Sequence, residues 1–181
     1  MHRLRNVCGA SLLIWVWGCS SAPNNYHTLV PSEPARSGGQ AIQVSRVSLP
    51  PQVDRPQLVV RQGSSGLAIL ETEWWGANLV DEFQSALQDL LGGPAAGPKT
   101  LVRVDVQRFD TVPGRYAALQ AVWRLKRPGE AELTCRTGVQ TAADNSIASL
   151  VNAHQANLRQ LAEAVRATAR PGTTQCPPGQ G

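Results

Sequence analysis

Two glutamates, Glu71 and Glu73, are the first side chains whose spacing could support chemistry. Two positions apart on a strand, they would share one face, and paired carboxylates can serve as general acid and general base. Salt bridging or solvation explains the pair more simply. We therefore predict no catalytic residue here.

Histidines and cysteines are the next candidates, as ligands for a metal ion. Beyond the N-terminal leader the chain holds two histidines, His27 and His154, and their distance from Cys135 and Cys176 does not match metal-ligand spacing. His154 lies on the apolar stripe of a predicted helix, which is typical of a packed core residue. We predict no metal and no cofactor.

Two glycine-rich stretches resemble nucleotide or nucleophile motifs only in part. In residues 92–100, GGPAAGPKT, Pro98 separates the glycine from the lysine. The context is helix–loop–strand, whereas a phosphate loop needs a strand before it and a helix after it. Residues 63–66, GSSG, lack the spacing of a nucleophile elbow. Enzyme activity has no positive support, and we predict that the protein is not an enzyme.

A charge pair, Asp54 and Arg55, is more informative because Pro50, Pro51 and Pro56 bracket it. Each proline removes an N–H donor and restricts φ, so the segment cannot pair regularly in a sheet. The pair either faces a partner or orders its own loop. Both interpretations stay open at this stage.

The adjacent tryptophans Trp74 and Trp75 likewise have either a structural role or a role in contacting a partner. In an extended chain one ring points into the core and the other outward, and an exposed aromatic ring is typical of an interface. Ser64 and Ser65 lie at the tip of a predicted hairpin. The candidate partner contacts are therefore Asp54, Arg55, Ser64, Ser65, Trp74 and Trp75.

The N-terminal segment has the pattern of a secretory signal. Arg3 and Arg5 precede an acid-free apolar run at residues 7–17, which is shorter than the roughly 20 residues that a membrane-spanning helix needs. The sequence Val16-Trp17-Gly18-Cys19 follows and resembles a bacterial lipobox. We predict that residues 1–18 are a lipoprotein signal peptide.

The predicted product begins at Cys19, whose acyl chains would hold the protein on a membrane. Residues 19–25 form a polar tether. Ser20, next to the cysteine, favours the periplasmic face of the outer membrane as the location.

The charge of the chain argues against nucleic-acid binding. Loss of Arg3 and Arg5 with the signal lowers the net charge from +4 to +2. The only lysines are Lys99 and Lys126, and no run of basic residues remains. Nucleic-acid binding, which needs a clustered basic face, therefore has no support.

Hydrophobic periodicity predicts the elements of one domain over residues 26–170, followed by a Pro/Gly-rich tail at 171–181. Strict alternation predicts an antiparallel meander of three strands at residues 101–112, 116–126 and 131–141. Further strands are predicted at residues 26–30, at 42–49, and in a hairpin at 58–61 and 67–71. The apolar residues change phase within 42–49, which indicates either a bulge or a strand that ends in an irregular segment.

Two amphipathic helices complete the prediction, from about residue 78 to 91 and from residue 144 or 145 to about 169. In the first helix, Asp81, Glu82, Gln84, Gln88 and Asp89 are predicted to face solvent. The resulting fold class is a two-layer α/β sandwich, with a mostly antiparallel sheet of about five or six strands and both helices on one face.

Four stretches in this order resemble the PqiC-like family of ABC-type transport auxiliary lipoproteins. The resemblance covers nearly the whole chain after the signal, and it rests on Tyr26-His27-Thr28-Leu29, Val47-Ser48-Leu49-Pro50, Asp54-Arg55-Pro56-Gln57-Leu58-Val59 and Glu73-Trp74-Trp75.

The resemblance implies a non-enzymatic outer-membrane lipoprotein of a paraquat-inducible-type operon. Such a protein would work with an MCE-domain protein that spans the periplasm and moves lipids between membranes. The implied fold is similar to the N-terminal domain of TolB.

Two functions are compatible with these observations. The first is a docking subunit that seats the MCE-domain conduit at the outer membrane. The second is a periplasmic carrier that itself binds a lipid or another apolar ligand. The apolar residues are about enough to fill a two-layer core, which favours docking, and a homo-oligomer is left open.

The two remaining cysteines, Cys135 and Cys176, are predicted to form a disulfide in an oxidising compartment. In the chain-entropy model such a bridge contributes about 4 kcal/mol, less any strain. Titration of the unfolded, unreduced protein lacking residues 1–18 should detect neither thiol. Two free thiols would refute the bridge.

Overall fold

The structure, a computed structural model, describes residues 22–33, 41–92 and 97–177. The predicted signal peptide and Cys19 lie outside these residues. The described residues form seven strands and two helices, in this order: β1 (Asn25–His27), β2 (Ile42–Ser48), β3 (Gln57–Gln62), β4 (Gly66–Trp75), α1 (Leu79–Leu90), β5 (Thr100–Val112), β6 (Tyr116–Lys126), β7 (Leu133–Ala142) and α2 (Ile147–Ala169).

A four-stranded sheet in the order β2-β5-β6-β7 forms the larger layer. Its β5-β6-β7 part is the antiparallel meander that alternation predicted. β2 joins its edge in parallel to β5, with a register shift between Val44 and Arg46. This shift within the strand matches a bulge, one of the two alternatives that the phase of the apolar residues in β2 indicated.

The remaining strands form a second sheet in the order β1-β4-β3. β3 and β4 are the predicted hairpin, and β1 pairs in parallel with β4. The α/β sandwich is confirmed, but the strands are divided between two sheets rather than placed in a single sheet of five or six. The parallel pairs join strands far apart in sequence, which local periodicity does not encode.

Both helices cover the same face of the four-stranded sheet. α2 packs across β6 and β7, and α1 packs against β2 and α2. The apolar stripe of α2 supplies buried residues along its length, including Leu150, Leu158, Leu161 and Val165. Ser146 caps α2, because its hydroxyl accepts a hydrogen bond from the Ser149 amide at 3.2 Å.

The prediction that Glu82 of α1 faces solvent is wrong, because Glu82 is only 8 % exposed. Its Oε2 accepts hydrogen bonds from the Thr28 hydroxyl at 2.8 Å and from the Leu29 amide at 2.9 Å. Gln88, predicted to face solvent, is half-buried and bonds the β2 backbone at Val44 N and Ile42 O. These side chains attach the N-terminal segment and β2 to α1.

Arg127, which follows β6, fixes the end of α2. Its buried guanidinium donates to the Thr168 carbonyl at 2.6 Å and also to the Thr173 carbonyl. It forms an ion pair with Glu130 in the same turn. Near this turn, Cys135 of β7 is joined by a disulfide to Cys176, with Cα atoms 5.5 Å apart.

Replacement of Glu82 by alanine tests its role as the acceptor for the N-terminal segment. The change leaves the Leu29 amide without its partner, so we expect a loss of about 1–3 kcal/mol in the free energy of unfolding. Urea denaturation measures this loss, and hydrogen exchange should accelerate at the Leu29 amide.

Asp81→Ala is the matched control, since it removes the same charge from the same first turn of α1 at an exposed position. Only the helix-dipole contribution, below about 1 kcal/mol, should be lost there. Equal effects of the two substitutions would contradict the buried role of Glu82.

Candidate functional site

The charge pair Asp54 and Arg55 lies in a tight turn beside the end of β4. The amides of Val53 and Asp54 donate to the Pro50 carbonyl at 3.0 and 3.2 Å, and buried Val53 anchors the turn in the core. The Trp75 amide donates to the Pro56 carbonyl at 2.7 Å. The segment is therefore held rigidly next to the tryptophans.

Asp54 is exposed and Arg55 is half-buried. Within the part of the chain that the structure describes, they form no ion pair with each other or with another residue, and Arg55 Nε is buried without a hydrogen-bond partner. Internal ion pairing therefore does not explain the two charges.

The two tryptophans point in different directions, as an extended chain requires. Trp75 is 3 % exposed, and its ring meets the Phe109 ring edge-on with centroids 6.5 Å apart. Trp74 is half-buried, and its indole Nε1 donates to the Glu71 carbonyl at 2.8 Å. Trp75 is thus a core residue, and only Trp74 can contact a partner.

Tyr26 is a surface aromatic that the sequence analysis did not single out. It lies opposite Trp74 in the parallel pairing of β1 and β4, and it is 66 % exposed. The available signal was its position on a short edge strand. Tyr26, Trp74, Asp54 and Arg55 lie at one end of the smaller sheet, and we call them the aromatic surface.

Ser64 and Ser65 are exposed at the tip of the β3–β4 hairpin. Trp74 lies near the other end of β4, which at about 3.3 Å per residue is roughly 25–30 Å away. Five of the six candidate contacts are therefore divided, and the sixth, Trp75, is in the core. The serines form one group, with exposed Leu67 and Ile69 nearby on β4. Asp54, Arg55 and Trp74 belong to the other, the aromatic surface.

Of the two glutamates considered for acid–base chemistry, Glu73 forms hydrogen bonds that hold two strands together. Glu73 Oε2 lies 2.6 Å from His27 Nε2, and Asn25 Nδ2 donates to Glu73 Oε1 at 2.8 Å. The hydrogen bond from His27, more than that from Asn25, lowers the pKa of Glu73 against a smaller opposing effect of burial. Glu73 is therefore a carboxylate that ties β1 to β4, and Glu71 is exposed.

His154 is a core residue, as its place on the apolar stripe of α2 indicated. It is 1 % exposed, stacks on Phe109 with ring centroids 3.9 Å apart, and its Nε2 lies 2.8 Å from the Thr111 hydroxyl. Burial lowers its pKa to about 3, although nearby Asp110 acts in the opposite direction. The imidazole is neutral at physiological pH and has no access to solvent.

Asp110 on β5 is a second buried charge, and its partners explain it. One carboxylate oxygen accepts from Arg61 Nε on β3 at 2.8 Å, and the other pairs with Arg108. The first of these pairs connects the two sheets. Both are ion pairs between residues of the fold.

No group of three or more potential metal ligands occurs among the described residues. None of their helices combines the length and apolar character needed to span a membrane. Several surface clefts among the described residues have both polar and apolar lining residues. One of about 40 Å³ lies between β3 and β5 near Arg61 and Phe109, and one of about 340 Å³ is lined by Gln120, Gln140 and Gln160 among others.

Comparison with protein families supports the resemblance drawn from the motifs. Residues 27–166 match the model of the ABC-type transport auxiliary lipoprotein component family. A search of curated proteins finds no match.

Two solved structures are similar in fold. A crystal structure described as an uncharacterized protein aligns with a TM-score of 0.67 and 13 % identity, over 82 % of this chain and 100 % of that one. A protein from Xanthomonas campestris, assigned to a domain family of unknown function, aligns with a TM-score of 0.58 and 15 % identity, over 82 % and 94 % of the two chains. At these identities the likeness shows the fold alone.

The depressed pKa of His154 predicts a specific pH dependence of stability. Because the folded state disfavours the imidazolium, its contribution is intact above the unfolded pKa of 6.5 and is lost as the pH falls toward 3, at about 1.4 kcal/mol per pH unit. Between pH 7 and pH 5 the loss should reach about 2 kcal/mol.

Urea denaturation of the native protein and of His154→Gln at both pH values measures this contribution. The variant should be less stable at pH 7 but should lose about 2 kcal/mol less on acidification. Parallel losses in the two proteins would show that another group is responsible.

Proposed function

Since the chain belongs to the ABC-type transport auxiliary lipoprotein component family, we propose that it docks a periplasm-spanning MCE-domain protein of its own operon at the outer membrane. In this function the protein catalyses no reaction. It supplies an acyl anchor, a rigid domain and a contact surface to a lipid-transport system.

The anchor in this proposal is Cys19. From Cys19 to Asn25, the first residue of β1, the chain can extend by about 20 Å. Several acyl chains, at roughly 0.8 kcal/mol per buried methylene, would keep the domain on the membrane surface. The domain would then be held close enough to the bilayer to receive the end of a conduit.

A filled interior supports docking over the carrier alternative. A lipid carrier needs an enclosed apolar cavity. The centre of this domain is occupied by large side chains that are at most 3 % exposed, among them Phe83, Phe109, Leu119 and Trp123. The clefts described above are open to solvent and lined partly by charged or amide side chains.

The observation that carries the proposal is the aromatic surface itself. Tyr26 and Trp74 are paired across neighbouring strands and remain accessible. The adjoining Asp54 and Arg55 have no ion-pair partner among the described residues. Partly exposed aromatics beside an arginine match the composition of interface hot spots, and a rigid turn lowers the entropy lost on binding.

A pull-down of the lipidated chain in detergent, with the MCE-domain protein encoded beside it, tests the proposal. The native chain should bind. The double variant Tyr26→Ala/Trp74→Ala should bind at least about tenfold more weakly, because truncation of hot-spot aromatics commonly costs 2 kcal/mol or more.

The matched control is Ser64→Ala/Ser65→Ala at the other end of the hairpin, which should bind like the native chain. Loss of binding in the serine variant alone would move the contact to the hairpin tip. Absence of binding by the native chain in both detergent and buffer would contradict docking.

A further inference from the structure

The open face of the four-stranded sheet, opposite the helices, carries a row of arginines. Arg46 on β2 is the register partner of Arg103 on β5, which is the register partner of Arg124 on β6. All three are exposed. We call them the arginine row, and together they border an open cleft of about 240 Å³.

None of the three guanidinium groups has an ion pair within the described part of the chain. The one carboxylate that lines the cleft is Asp105, which accepts a hydrogen bond from the Ser48 hydroxyl at 2.8 Å. Like charges directly opposite one another on neighbouring strands destabilise a sheet. The fold therefore holds an electropositive row whose charge the neighbouring side chains do not balance.

The charge continues beyond the row on the same face. Exposed Lys126 lies two positions along β6 from Arg124, and exposed Arg136 pairs with Val122 on the neighbouring strand. By strand register this face carries these five cations and Asp105, together with Arg108 and Asp110, which form an ion pair with each other.

The helix layer on the other side of the sheet has a different balance of positive and negative charges. α1 contains Asp81, Glu82 and Asp89 and no basic residue. On α2, exposed Arg159 and half-buried Arg166 accompany exposed Glu163. Of these two sides, within the described residues, the open side of the sheet is the cationic one.

We propose that the arginine row binds the phosphate groups of anionic phospholipids, so that the domain rests on the membrane through the open face of its four-stranded sheet. Guanidinium groups match phosphate oxygens by paired hydrogen bonds. The inference rests on the anchoring part of the proposed function and is independent of docking to an MCE-domain protein.

The shape of the face favours a membrane over an acidic peptide. The cations are spread over three or four strands about 4.8 Å apart, in two dimensions rather than along a single groove. Exposed Leu101 and half-buried Val122 lie among them, as expected for a surface that meets both headgroups and the upper acyl region. For an anchored domain, attraction of each cation to an anionic surface is sufficient to select which face turns toward it.

Arginine modification of the full lipidated chain tests this orientation. The protein is inserted through its own anchor into vesicles of phosphatidylcholine alone, or of phosphatidylcholine with phosphatidylglycerol, and phenylglyoxal adducts are mapped by mass spectrometry. At low salt, modification of Arg46, Arg103 and Arg124 should be about fivefold slower on the anionic vesicles. Arg159 on α2 should react alike on both, and 1 M salt should abolish the protection.

Two arginine variants test whether the protection comes from contact of the whole row with the membrane or from the surroundings of each arginine alone. Arg103→Gln should reduce the protection of Arg46 and Arg124, whereas Arg159→Gln should leave it unchanged. Equal modification on the two vesicle types would overturn the proposal. Protection that appears only when the MCE-domain protein is added would overturn it in favour of an acidic protein partner.

The outcomes also distinguish this inference from the proposed function. Failure of the chain to associate with pure phosphatidylcholine vesicles would contradict the acyl anchor. Protection on anionic vesicles together with a negative pull-down would support the arginine row and refute docking.

Discussion

The packing around Phe109 connects every layer of this domain. Its ring meets Trp75 from the smaller sheet and Phe83 from α1 edge-on, and it stacks on His154 from α2. Phe109 itself belongs to β5, just after the register shift between Val106 and Arg108. β5 also contacts β3 of the smaller sheet, where the pair of Asp110 with Arg61 adds a polar link.

This arrangement gives structural roles to several residues whose side chains could support chemistry. His154 is part of the stack, Glu73 ties β1 to β4, and Glu82 holds the N-terminal segment. These three side chains make their contacts within the fold. The candidates for contacts with other molecules lie on the exterior of the domain. They are the aromatic surface at one end of the smaller sheet and, separate from it, the arginine row on the open face of the four-stranded sheet.

Local patterns predicted the elements well, because alternation and helical periodicity are properties of each segment alone. The meander, the bulge in β2 and the hairpin follow from such patterns. The parallel partners of β1 and β2 did not, since pairing across tens of residues depends on the whole core. The sandwich could be predicted, whereas its division into two sheets could not.

The candidate site was predicted only in part, for a similar reason. Trp75 and Trp74 could be recognised as one inward and one outward ring, but only the tertiary structure shows which is which, and only the pairing with β1 adds Tyr26. The spacing of Glu82 indicates burial, although its charge favours solvent. It lies three residues after Leu79 and four before Ala86, which places it on the apolar stripe of α1. The role of Arg127 at the end of α2 had no local signal, because the backbone carbonyls that it bonds there lie more than 40 residues away.

The central claim is that the protein works as a filled scaffold that makes contacts and carries no lipid inside. Native mass spectrometry of the lipidated chain tests it most directly, after extraction from membranes in detergent and washing in 1 M salt to remove lipids held by charge alone. The account predicts the mass of the acylated chain without further ligand. A phospholipid retained at one per chain would contradict it and would favour a carrier.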